Sequence, residues 1–338
     1  MISSAAGSIG DRIRRISHVV VNVSDLDRSV QFYEKVSPLR LVTTFEAPEQ
    51  SFEPLRLGCD RARFVAAVLE DQTGGDPVAV HLVQWVNPPP TGAAYRTFLD
   101  SGITKLGICY PDPERKRAQL REAGAVLTNE KTVRNYFTTT DPDGIFVSFI
   151  NLPGTVSERL FHTCLAMTAP VDQTVRFYRD VLGLEHWMRV AVPEPVPASL
   201  GAGSDLGFYE SHFFRGWGDH RFSLDCSKNF LPYAQAAPPR EAAHHIGIAR
   251  FAIEVDDVGR CFDVLRAASA GLDHGPVGAG PVRWVYGPPF GPRRVLVVRD
   301  PSGHLFELFT PEQRPFLDRA PGTAQAGHPP AAPSADGG

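Results

Sequence analysis

The feature that most constrains this 338-residue chain is an internal repeat. Residues 16–23 form an apolar run of strand character with His18 near its start. They lead into residues 25–36, where Leu26, Val30, Tyr33 and Val36 recur at helical spacing. Residues 160–167, with His162, lead in the same way into Val171 and residues 175–183. In each copy a Phe-Tyr pair follows the histidine, at Phe32-Tyr33 and Phe177-Tyr178, 14 or 15 positions on. A second pair also matches. Residues 102–108 precede a charged helical segment ending near Leu120 and Gly124, and residues 247–253 precede a helical segment through Val258, Phe262 and Leu265. Both then reach a turn sequence, Asp141-Pro142-Asp143-Gly144 or Asp300-Pro301-Ser302-Gly303, followed by apolar runs at 145–150 and 304–309. The order strand–helix–strands therefore occurs four times, and a unit of this size cannot bury its apolar face alone.

Turn residues at 152–155 interrupt the pattern and divide the chain into domains at 13–153 and 154–312, each of two units. The Pro/Ala/Gly-rich tail 313–338 and residues 1–12 lack large apolar side chains, so disorder is expected there. Alternation within the strands predicts an α+β fold, with helices on one face of each sheet and a concavity on the other. A net charge of −4 offers no basic footprint for nucleic acid or membrane. There is no apolar run long enough to span a bilayer and no signal-peptide pattern. Five scattered cysteines read as reduced, buried thiols of a cytoplasmic protein.

From about Arg14 to Pro311, these motifs resemble the vicinal oxygen chelate superfamily of glyoxalases, bleomycin-resistance proteins and extradiol dioxygenases. The resemblance implies four βαβββ modules in two tandem domains, paired into open-barrel cups. It also implies a divalent metal in a cup, chelating neighbouring oxygens of a small-molecule substrate. Relatives include lyases, isomerases, dioxygenases and metal-free binding proteins, so the fold leaves the reaction open.

The family places its ligands on the first and last strands of each module. The first-strand positions are His18, Lys105, His162 and Arg250. The last-strand positions are His81, Ser148, Ser223 and Glu307. Ser148 and Glu307 both lie seven residues past the first Asp of their turns, whereas His81 and Ser223 are placed by the register of Leu82 and Leu224. Protonated Lys and Arg have no lone pair for a metal. Pairing modules in sequence leaves two candidate ligands per cup: His18 with His81, or the alternative pair His162 with Glu307. Pairing module one with module four instead gathers His18, His81 and Glu307, a set suited to Fe2+, Mn2+, Zn2+ or Ni2+. Arg250 then takes the fourth place and can hold an anionic substrate oxygen. The other cup collects Lys105, Ser148, His162 and Ser223 without a metal. Arg250 and Lys105 are the candidate catalytic cations.

Blander roles stand beside these. His18 and His162 can be hydrogen-bonded strand residues, and His81 a solvent-facing residue of an edge strand. Glu307 can be a surface carboxylate, and His244-His245 a linker. The Phe-Tyr pairs read as helix–sheet packing. The aromatic segment 208–217 reads equally as core or as a wall for a flat ligand. The expected function is Lewis-acid activation of a small aromatic or polyfunctional carbonyl compound, of lyase, isomerase or ring-cleaving dioxygenase type. The alternatives are a metal-free drug-sequestering protein and a metal-free cyclase or rearrangement enzyme. The sequence leaves monomer and homodimer equally open.

Overall fold

A computed structural model describes residues 7–71, 73, 78–97, 100–127, 136–192, 209–216, 222–229 and 242–312. Module one comprises β1 (Ile13–Asn22), α1 (Leu26–Val36), β2 (Leu39–Ser51), β3 (Arg61–Asp71) and β4 (Ala79–Asn87). Module two shows β5 (Ile103–Cys109), α2 (Pro113–Glu122), β6 (Tyr136–Thr140) and β7 (Phe146–Ile150). Module three has β8 (Arg159–Ala166), α3 (Val171–Arg176), β9 (Glu185–Val192), β10 (Tyr209–Arg215) and β11 (Ser223–Asn229). Module four has β12 (Gly247–Val255), α4 (Val258–Ala268), β13 (Gly275–Pro276), β14 (Val282–Val285), β15 (Pro292–Arg299) and β16 (Leu305–Pro311).

Local chemistry sets the helix starts. Asp25, Asp112 and Asp257 each cap a helix by accepting backbone N–H groups that have no partner within it. Helix α1 then buries Ser29, Tyr33 and Val36, spaced along one face. Pro170 gives α3 no side-chain cap, and that helix widens into a π-turn over Phe177–Val181.

The sheets cross the domain boundary. One nine-stranded sheet joins modules one and four, because β1 pairs antiparallel with β12. A seven-stranded sheet joins modules two and three through β5 and β8. The helices instead bind the modules in sequence. Tyr33 of α1 donates to Asp141 in the module-two turn, at 3.2 Å, and Tyr178 beyond α3 donates to Asp300 in the module-four turn, at 2.9 Å. The Phe-Tyr pairs do pack the core, as read from the sequence, and their tyrosine hydroxyls also tie consecutive modules together. One apolar cluster, containing Val19, Tyr33, Phe137, Tyr178, Phe251 and Phe306, spans the helix-side faces of both sheets.

Residues 7–12 depart from the expected disordered N-terminus. Ile9 is fully buried and its N–H donates to Val181 O at 3.0 Å, and residues Gly10–Arg12 form a 3-10 turn. One large apolar side chain with a matching recess is enough to order that segment. Residues 1–6 and the tail 313–338 lie outside the described residues.

Candidate functional site

Strand register places the first-cup residues. His18 lies opposite Ala252, and Val20 lies beside both Arg250 and His81. Ala252 in turn lies beside Glu307. His81 therefore relates to His18 as Glu307 relates to Arg250. All four side chains share one face of the nine-stranded sheet, and each is less than a tenth exposed. Strand β4 lies between β1 and β3, so His81 is not on an edge strand.

The His18 and His81 rings stack at 3.8 Å with planes 12° apart. His18 Nδ1 contacts Ser17 Oγ at 3.1 Å, while His18 Nε2 is buried without a hydrogen-bond partner. Burial holds both imidazoles well below the usual histidine range. The neighbouring Arg293, Arg250 and Arg15 push in the same direction, as does each ring's charge on its neighbour in the case of His18. Both rings are therefore neutral at pH 7. Glu307 Oε1 accepts from Arg250 Nε, and Glu307 Oε2 accepts from Tyr286 Oη at 3.3 Å. Arg293 enters the same cup from β15, between the rings of Tyr286, Phe290 and Phe309.

The mouth of this cup is drawn together by module one meeting module four. Gln50 donates to Val285 O at 2.7 Å and accepts from Val285 N at 3.1 Å. Phe45 packs on Phe290, and Phe52 on Trp284. Beside Arg250, a cavity of about 30 Å³ lined by Tyr95, His245 and His304 leaves room for little more than a water.

As arranged, the donor set does not fit the divalent ion expected at His18, His81 and Glu307. The Glu307 charge is neutralised by its ion pair with Arg250, and the two imidazoles stack face to face rather than converging on one point. Among the described residues, no three His, Cys, Asp or Glu side chains gather as a metal-holding group. The alternative pair His162 and Glu307 is split between the two sheets.

The second cup holds Lys105, Ser148 and His162, so Lys105 and Arg250 lie on different sheets. Here the register corrects one assignment. Gly107 lies beside Ser148, and Cys164 lies beside Asp225, so Asp225 is the counterpart of Ser148. Ser223 sits one pleat earlier, opposite His162, and receives the Trp187 indole N–H at 2.9 Å. The Leu224 register alone places the ligand position two residues early. His162 has neither ring nitrogen hydrogen-bonded, its Nε2 lies 3.8 Å from Asp225 Oδ2, and burial lowers its pKa to about 4. The aromatic segment divides by alternation. Phe213 faces His162 in the cup, while Phe214 stacks on Tyr178 on the helix side. Trp217 lies outside the described residues. His244 and His245 do more than link modules three and four, since their carbonyls accept from Thr91 N and Asn22 Nδ2.

A sheet of paired βαβββ modules with a buried polar cluster on one face is an architecture of the vicinal oxygen chelate kind. The comparisons agree. The model of the Glyoxalase/Bleomycin resistance protein/Dioxygenase superfamily matches residues 15–149 and 159–308, and the chain belongs to that family. It is 30% identical over 149 residues to a lactoylglutathione lyase of Haemophilus influenzae, covering 42% of this chain and 96% of that protein. It is 25% identical over 187 residues to lactoylglutathione lyase GLX1 of Arabidopsis thaliana, covering 54% of this chain and 59% of that one. The fold is shared with glyoxalase I from Zea mays, at a TM-score of 0.61 and 18% identity over 88% of this chain and 92% of that one. A putative dioxygenase from Bacillus subtilis aligns at a TM-score of 0.56 and 15% identity, over 89% and 86%. No helix of the described residues is long and apolar enough to cross a membrane.

Proposed function

We propose that the first cup is the active site of a lyase- or isomerase-type enzyme that moves a proton next to the carbonyl of a small molecule. The observation that carries this reading is the gathering of His18, His81, Arg250 and Glu307 on one buried face, from opposite ends of the chain. A charged cluster sealed in an apolar cup is a poor way to gain stability, because desolvation offsets much of its attraction. Glu307 is the proton acceptor. The electron pair of the broken C–H bond moves to the carbonyl oxygen. That oxyanion meets the Arg250 guanidinium, which has N–H donors beyond the one committed to Glu307. The two neutral imidazoles orient the substrate by hydrogen bonds. The similarity to two lactoylglutathione lyases supports a lyase class. The Arg at position 250 gives no ground for carrying their substrate over.

The test is exchange of substrate C–H for deuterium in D2O, followed by NMR. The probes are S-lactoylglutathione, pyruvate and methylglyoxal, with the metal content of the purified protein measured in parallel. Exchange lost in Glu307→Gln supports the reading. A stoichiometric divalent ion, lost in both His18→Ala and Glu307→Ala, would replace it with Lewis-acid chemistry. Tight binding without exchange would make the chain a sequestering protein.

A further inference from the structure

We infer that the first cup selects ligands bearing a carboxylate, and that Arg293 is the residue that receives it. This rests on the first cup being the ligand site. Strand β15 alternates, so Arg293, Val295 and Val297 face the cup, and Val297 lies beside Glu307. The guanidinium is 4.9 Å from the Tyr286 and Phe290 ring centres and 4.5 Å from that of Phe309. Arg293 is 7% exposed, and its Nε is buried with no hydrogen-bond partner.

The surrounding charges are already spoken for. Arg250 pairs with Glu307, and Arg15 with Glu254 across β1 and β12. Among the described residues, no carboxylate lies in ion-pair range of Arg293. Aromatic faces attract a cation, but more weakly than its lost hydration demands. The cup thus has two buried guanidiniums facing one carboxylate, with Arg15 and Glu254 balancing each other. It is complementary to a small anion.

The pseudo-symmetry of the sheet supplies an internal control. Val68 lies beside His81 as Val297 lies beside Glu307, and counting back along each strand makes Phe64 the counterpart of Arg293. Phe64 is an apolar member of the same cluster. The fold therefore accepts an uncharged ring at this position, and the guanidinium must answer to something else. Arg293 also acts on His18 and His81, so its charge reaches toward the imidazole pair.

The experiment uses the full chain and probes matched in shape but not in charge. Benzoate is compared with benzamide, and pyruvate with methylglyoxal, by calorimetry and thermal shift. We expect each carboxylate to bind at least about tenfold tighter than its neutral partner, and Arg293→Met to abolish that ratio while Arg293→Lys keeps part of it. Without ligand, Arg293→Met should melt no lower than wild type, because an unpaired buried cation has been removed. A lowered melting temperature with the charge ratio unchanged would make Arg293 a packing residue and overturn the inference. So would equal affinity for both members of each pair in the wild type, a comparison that needs no variant. Carboxylate selectivity without proton exchange defeats the proposed activity and leaves this inference standing. Exchange on neutral and acidic probes alike, in wild type and Arg293→Met, does the reverse.

Discussion

At the scale of single residues, the cups are defined by histidines kept neutral. His18, His81 and His162 are buried among cations or apolar rings, and burial is the leading cause of each lowered pKa. The sign of the pH effect follows. A histidine whose folded pKa is depressed contributes stability that is present above its unfolded pKa of about 6.5 and is lost as pH falls through the folded value. For His162 that window runs from about 6.5 down to about 4. Melting temperature is therefore expected to fall between pH 7 and pH 5, and His162→Asn should flatten the slope. The shift corresponds to a contribution on the order of 3 kcal/mol from this residue. A pH slope left unchanged by His162→Asn would contradict the burial of a neutral imidazole there. His18, His81, Arg250 and Glu307 were legible in the sequence because each occupies a repeat position. Arg293 was not, because the repeat assigns no ligand to its strand. Alternation with Val295 and Val297 was the available signal for the face it takes. Asp225 was missed for another reason, that a strand placed by one leucine can slip by a pleat without violating its apolar pattern.

Among elements, the turn motif and the helix tyrosine form one device used twice, with different partners. In module four, Asp300 accepts from Tyr178 and contacts His304 Nδ1 at 2.8 Å. Burial pushes that carboxyl up, but His304 and the other hydrogen bonds outweigh it, and its pKa is lowered. In module two, Ile145 stands where His304 would be, four residues past the aspartate. Burial then dominates, and Asp141 is raised to about 6. A carboxyl with a raised folded pKa contributes stability fully present below its unfolded pKa and lost as pH rises through the folded one. Asp141→Asn keeps one oxygen for the Asp143 and Ile145 N–H groups, turns an amide N–H donor toward Tyr33 Oη in place of the second oxygen, and removes the charge. Relative to wild type it should gain stability as pH rises from about 4 to about 7, by roughly 1–3 kcal/mol. Denaturant titrations at the two pH values would show it, and an unchanged difference would sink the assignment. A second element-scale expectation concerns β5. A Cβ on Gly107 would overlap the His162 ring. Gly107→Ala should therefore lower stability by about 1–3 kcal/mol. The same change combined with His162→Ala should restore most of it, as read in a double-mutant cycle.

At the scale of the whole molecule, the sequential domains and the sheets are different units. The α+β class and the four modules followed from periodicity, which is local information. The pairing of module one with module four could only be weighed through its chemistry, because the register between β1 and β12 joins segments more than two hundred residues apart. One consequence is mechanical. The first half contributes the chain of strands ending at β1 to one sheet and the chain ending at β5 to the other, and both of these strands find their antiparallel partners in the second half. Cut after residue 153, the first half presents both strands as open edges, each flanking an unfilled cup. Neither cup exists in either half alone, and Tyr33–Asp141 and Tyr178–Asp300 tie only helices to turns within a half. Residues 7–153 expressed alone should therefore associate, by pairing their edges with another copy or by aggregating. Co-expression with residues 154–312 should return a one-to-one complex with a single cooperative melting transition. Size-exclusion chromatography with light scattering separates these outcomes. A monomeric first half with its own sharp transition would mean that the crossed sheets are a convenience of packing and not the framework that builds the site.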